Sequence, residues 1–133
     1  MSSPNRSFLS CLLLVCCLAT AGCGESKPKV DVNAQIQALS GTSEAKQDAL
    51  TELGTVGPAA LPALNKLIPL LKDEDHVVRR LAAYTIGTIG PAAKSAVPAL
   101  KEALASAERD FATSLVNAIR NVDPVAGKSL GGE

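Results

Sequence analysis

The chain has 133 residues, with 13 Lys and Arg against 13 Asp and Glu, and a formal net charge of +0 at pH 7. That balance excludes the basic footprint of a nucleic-acid binder, so no nucleic-acid partner is expected. Aromatic residues make up only 2% of the chain, and alanine and leucine dominate. This composition suits closely packed helices, whereas the alternating β-branched and aromatic runs that mark strands are missing.

Residues 1–22 read as an export signal. Arg6 supplies one positive charge, Phe8 to Ala21 form an apolar run, and small residues follow. At roughly 14 residues the run is too short to cross a hydrocarbon core, which takes about 20, and the pattern is that of a secretory signal peptide. Thr20-Ala21-Gly22-Cys23 resembles the lipobox of bacterial lipoproteins, although leucine is usual where Thr20 stands. The resemblance implies that Cys23 is acylated and becomes the new N-terminus, tying the protein to a membrane through lipid. Gly24 in place of Asp favours an outer over an inner membrane by the same resemblance. An ordinary cleavage after Ala19-Thr20-Ala21 is the alternative, and would release a soluble periplasmic or secreted protein. Cys11, Cys16 and Cys17 lie inside the signal, so residues beyond it hold Cys23 alone. One cysteine makes neither a disulfide framework nor a thiolate metal site.

Residues 23–30 are expected to be the lipidated cysteine and a polar tether, residues 31–123 the folded domain, and residues 124–133 a flexible tail. Asp31 caps a short helix with Val32, Ile36 and Leu39 on one face. Thr42 or Ser43 caps the next, whose stripe runs through Ala45, Ala49, Leu50, Leu53 and Val56. Gly54 and Gly57 close it. Pro58 begins a short turn, and Pro62 takes the first position of a second helix lined by Leu64, Leu67, Ile68 and Leu71. Pro69 falls inside that helix and should kink it.

The scheme then repeats. Leu53-Gly54-Thr55-Val56-Gly57-Pro58-Ala59-Ala60 returns 33 residues later as Ile86-Gly87-Thr88-Ile89-Gly90-Pro91-Ala92-Ala93, and a fainter copy begins at Ile119. Such a period marks stacked helical units. Val97-Pro98-Ala99-Leu100 looks like Leu61-Pro62-Ala63-Leu64 displaced by a three-residue insertion, Lys94-Ser95-Ala96. A third first-helix spans about Arg109 to Val122.

Ala82-Ala83-x-x-Ile86-Gly87-x-Ile89-Gly90, followed by Pro91 and the Val97-Pro98-Ala99-Leu100 run, resembles the HEAT repeat in the short form named after phycobilisome-lyase proteins. Asp73-x-Asp75-x-Val77-Val78-Arg79 resembles the Asp…Val-Arg signature of the same family. The resemblance covers residues 44–123, with residues 31–39 as half a unit. It implies an all-α fold: a short right-handed α-solenoid of antiparallel helix pairs, about two and a half repeats long. It also implies a docking or scaffold role at a cell envelope, with an unidentified protein partner and without catalysis. A self-associating envelope subunit joined through apolar end faces, or a bilin-lyase-like enzyme, are the alternatives.

Candidate residues follow from this arrangement. Asp73, Asp75, Arg79 and Arg80 are expected to cap a helix and pair with one another along the stack. Lys66, Lys72 and Lys101, with Asn65 and Glu102, fall on the second helices, the concave side of such stacks. Tyr84 aligns with the polar Thr51 and Asn117, so it should face solvent as a contact anchor. His76 is the single histidine and cannot build a zinc site. Gly127-Lys128-Ser129 lacks the earlier glycine and strand of a phosphate loop. No catalytic residue, metal site or cofactor is expected.

Overall fold

A computed structural model describes residues 29–130; the expected signal peptide, Cys23, most of the expected tether and residues 131–133 lie outside the described residues. Among the described residues seven α-helices run in order: α1 (Val32–Ala38), α2 (Ser43–Val56), α3 (Leu64–Leu70), α4 (His76–Ile89), α5 (Val97–Ala105), α6 (Arg109–Val122) and α7 (Pro124–Lys128). Two 3-10 segments, Gly57–Ala63 and Gly90–Ala96, join α2 to α3 and α4 to α5. No strand forms among the described residues. The fold is an all-α solenoid in which α4 packs between α2 and α6, and α1, α3 and α5 supply the second helices.

Caps fix the register. Thr42, Asp75 and Glu108 precede α2, α4 and α6 at 33-residue intervals, and all three helices are 14 residues long. The Thr42 hydroxyl accepts from Ala45 N at 3.4 Å, and Asp75 Oδ1 accepts from Val77 N at 2.8 Å. Each bond satisfies an amide that the first helical turn would otherwise leave unpaired. Asp31 does the same for α1, accepting from Asn33 N and Ala34 N. At the far ends, Gly57 (φ 58°) and Gly90 (φ 73°) occupy the left-handed region that side chains resist. Pro58 and Pro91 then open the 3-10 segments, where a missing N–H costs nothing. Gly54 does not close α2; it lies buried within it.

The core is one cluster of small and branched aliphatic side chains, with Leu50, Leu53, Leu67, Ile86, Leu100, Leu115 and Ile119 fully buried. Thr85 is the single buried polar residue described, and its hydroxyl donates to carbonyl oxygens of Leu50 (3.0 Å) and Leu81 (2.9 Å). Burying that hydroxyl therefore leaves no unpaired group.

Four further expectations need correction. The supposed insertion at Lys94-Ser95-Ala96 is not one: α3 begins at Leu64 and α5 at Val97, 33 residues apart, after 3-10 segments of equal length. Burial repeats in the same register, at Ala60, Ala63, Leu64, Leu67 and Leu70, then at Ala93, Ala96, Val97, Leu100 and Ala103. Pro62 consequently sits inside the first 3-10 segment and does not start a helix. Pro69 does not kink α3 either; the helix stops one residue later, and 3-10-type bonds from Leu71 N to Ile68 O and Lys72 N to Pro69 O finish the turn. Finally, residues 124–128 are not a flexible tail. Asp123 Oδ1 accepts from Val125 N and Ala126 N, Pro124 starts α7, and Gly127 is buried against α6. A Cβ on Gly127 would lie 2.6 Å from Arg120 Cα, so this approach requires glycine.

Candidate partner-binding surfaces

The turn Lys72–Asp75 gathers charge between neighbouring units, and its bonds differ from those expected. Asp73 Oδ2 pairs with Lys46 Nζ at 2.7 Å, across 27 residues of sequence, and Asp73 Oδ1 accepts from Asp75 N. Asp75 Oδ2 accepts from the Gln47 amide at 2.9 Å. Arg79 reaches neither carboxylate. Its guanidinium donates to the carbonyl oxygens of Asp73 (2.8 Å) and Glu74 (3.2 Å), and stands 5.7 Å from the Phe111 ring centroid, within cation–π range. Arg80 is exposed and makes no ion pair with any described residue. The acids thus stitch α2 to the α4 turn, while the arginines serve other surfaces.

These bonds set the local electrostatics. The Lys46 ammonium, chiefly through its hydrogen bond, holds the Asp73 carboxyl below its ordinary value. The Val77 amide does the same for Asp75, as a helix cap should. A groove of about 380 Å³ lies beside this turn, floored by Leu71 and Ala103 and walled by Arg79, Glu102, Glu108 and Phe111. Every charged group on its Lys72–Glu102 rim is matched, because those side chains pair at 2.7 Å while remaining exposed. Glu102 is held below its usual range by that same lysine.

On the second helices the lysines do not converge. Lys66 and Lys101 are exposed, but α3 and α5 present them at unlike positions. In the 33-residue register Lys66 corresponds to Ala99 and Lys101 to Ile68. Lys72 is occupied by Glu102. No basic platform results.

Tyr84 faces solvent as its register predicted, 59% exposed, on the first-helix side. Buried Gly54 makes room for it: a Cβ there would sit 3.1 Å from the ring of Tyr84. On the other flank of the ring a groove runs between α4 and α6. Its widest part, about 360 Å³, is lined by Val77, Arg80, Leu81, Tyr84 and Ser114. It narrows past Tyr84 over Gly87 and Ala118, beside Asn117 and Asn121. Toward the other end it opens between Arg80 and Asp110, with Thr113 and Ser114 between them. Asp110, Ser114, Asn117 and Asn121 recur every three or four residues and so form one polar stripe down α6. That stripe is visible in the sequence, although Tyr84 alone drew attention there. An apolar floor, a tyrosine and carboxamides that both donate and accept suit a peptide segment: they can hold its side chains and its backbone.

His76 is exposed and 4.0 Å from Asp75. Among the described residues no group of three or more His, Cys, Asp or Glu is placed to hold a metal. No described helix is long and apolar enough to cross a membrane.

No curated protein and no solved structure matches the chain. A family model of HEAT repeats matches residues 32–120, the span from α1 through the last turns of α6. With helix pairs stacked at a constant 33-residue period, a glycine-proline turn within each of the two full pairs and that match over most of its length, the chain belongs to the HEAT-repeat family.

Proposed function

We propose that this protein is an exported, lipid-anchored docking module, which holds a protein partner at a bacterial cell envelope without chemistry of its own. HEAT repeats are typical protein-interaction scaffolds and are generally non-catalytic. The observation that carries the docking reading is the groove between α4 and α6, with Tyr84 exposed beside it. The polar side chains elsewhere are largely spent on structure: Asp73, Asp75 and Asp123 cap or pair, and Thr85 bridges helices. Anchorage is supported by the sequence Ala21-Gly22-Cys23 after an apolar run of signal-peptide length, and by Gly24 for an outer membrane. The groove offers few large anchors, so affinity would be modest, and membrane tethering would raise the effective concentration of a partner held at the same surface.

Two measurements test this. Intact mass of the protein extracted from a bacterial membrane fraction should equal residues 23–133 plus acyl chains, and Cys23→Ala should abolish that species. A soluble product beginning at Gly22 would remove the anchor. A photo-crosslinking residue at position 84 should capture one defined envelope protein in the living cell, while the same residue at position 66 should not. Capture at position 66 alone would move the docking surface to the second helices.

A further inference from the structure

The two edges of the solenoid differ chemically. Along one edge lie the N-termini of α2, α4 and α6, where exposed Glu44, Glu74, Glu102, Glu108 and Asp110 outnumber the exposed Lys72 and Arg109. Along the other lie their C-termini and the turns that follow. There Pro58, Pro91 and Pro124 recur at 33-residue intervals, each followed by an exposed apolar residue, Ala59, Ala92 and Val125. Leu61 adds 40% of its surface, and Val125 is 79% exposed. The cations Lys29, Lys94, Arg120 and Lys128 are exposed around this row. The acids nearby, Asp31 and Asp123, are committed as caps of α1 and α7, and Asp123 also faces Lys94 at 3.7 Å. An apolar row fringed by Lys and Arg is what a bilayer surface with anionic headgroups accepts: the apolar groups sink into the headgroup layer and the cations stay among the phosphates.

The path of the chain brings this edge to the anchor. α1 occupies the second-helix layer and touches the 3-10 segment Gly57–Ala63, so its N-terminus lies at the proline edge. Lys29 lies only six residues after Cys23, a reach of about 20 Å at full extension. A lipid on Cys23 therefore delivers the proline edge, and not the acidic one, to the membrane.

We propose that the edge carrying Pro58, Pro91 and Pro124 rests on the membrane surface, fixing the stack with its acidic edge outward and the α4–α6 groove to the side. This rests on Cys23 being acylated as proposed above. The row is too small to hold the protein by itself, so Cys23→Ala should leave the membrane even with the edge intact.

The test uses full-length protein purified from membranes and placed in phosphatidylglycerol–phosphatidylethanolamine vesicles. A polarity-sensitive fluorophore is attached to cysteine in three separate variants, Ala59→Cys, Ala92→Cys and Glu74→Cys. Acylated Cys23 has no free thiol, so each variant takes one label, and intact mass verifies both the acyl chains and the single label. The expected result is blue-shifted emission and several-fold weaker iodide quenching at positions 59 and 92, with position 74 fully quenched. Equal quenching at all three positions in acylated, vesicle-bound protein overturns the edge orientation and leaves the anchor standing. A mass without acyl chains overturns the anchor, and the orientation with it. Far-UV circular dichroism of each variant confirms that the helices are intact.

Discussion

The joint between α2 and α4 and the joint between α4 and α6 share one backbone register but are held by different chemistry. At the first, Lys46 pairs with Asp73, Gln47 bonds Asp75, and Thr85 bridges to the Leu50 carbonyl. At the second, the position equivalent to Lys46 is Arg79 and that of Asp73 is Ser106, so the cation is kept but the acid is missing. Arg79 instead covers the Phe111 ring, Gly87 rests against Ala118, and the cross-unit ion pair Lys72–Glu102 stays in solvent. A stacked fold thus needs complementary surfaces at each joint, but not the same bonds. Partly buried polar stitches and close apolar packing substitute for one another.

Mutations can separate the two joints. The largest effect belongs to packing: Leu115→Ala, at a fully buried site on α6, should cost about 3 kcal/mol in urea denaturation. A loss below about 1 kcal/mol would show that the second joint is not packing-dominated.

The paired glycines sharpen the contrast. A Cβ at Gly87 would lie 3.1 Å from Ala118 Cα, a backbone atom that cannot step aside. A Cβ at Gly54 is crowded by the ring of Tyr84, which is exposed enough to swing away, and meets Thr85 Oγ1 only at an ordinary 3.6 Å. Alanine gains about 1 kcal/mol of helix propensity over glycine. Gly54→Ala should therefore be close to neutral, whereas Gly87→Ala should lose about 1 kcal/mol net as overpacking outweighs that gain. Equal urea midpoints for the two would erase the distinction.

Thr85→Val keeps the shape but removes the hydroxyl that spans the first joint, and should cost about 1 kcal/mol by the same measurement. The smallest change is electrostatic. Lys46→Met should cost less than about 1 kcal/mol at neutral pH, since the gain from one part-buried pair is largely offset by the desolvation of its two groups. The Asp73 carboxyl is held below its ordinary value of 3.8 chiefly by the Lys46 hydrogen bond. A lowered folded-state pKa gives stability that is present above the unfolded value and lost as pH falls through the folded one. The gap between parent and Lys46→Met should thus persist above pH 3.8 and close at lower pH. Arg79→Met should show no comparable acid dependence, because Arg79 bonds carbonyls and an aromatic face.

The helices and their caps were legible because the signals are local. Thr42, Asp75 and the Gly-Pro pairs announce ends within a few residues, and α6 runs over the expected Arg109–Val122. Misreadings arose where likeness of sequence and likeness of position diverge. Leu61-Pro62-Ala63-Leu64 resembles Val97-Pro98-Ala99-Leu100, yet burial equates Leu64 with Val97. The glycine at position 127 suggests a frayed end to a local reading, but it permits α7 to lie on α6. The partner of Asp73 is 27 residues away, and composition offers no means of choosing Lys46 over Arg79. The groove was half legible. Register placed Tyr84 outside, but only the packed α4–α6 pair shows what lies beside it.

The side-chain bonds reported above are short in sequence terms. The longest, from Thr85 to Leu50, spans 35 residues, and the other inter-unit bonds span 27 to 30. A unit therefore waits for little more than one following unit before its partners are all in hand. A chain with such local contacts closes only small loops and folds fast. If it emerges across a membrane from its N-terminus, it can settle in order of appearance, α1 and α2 first, with no need for the last helix to come back to the first.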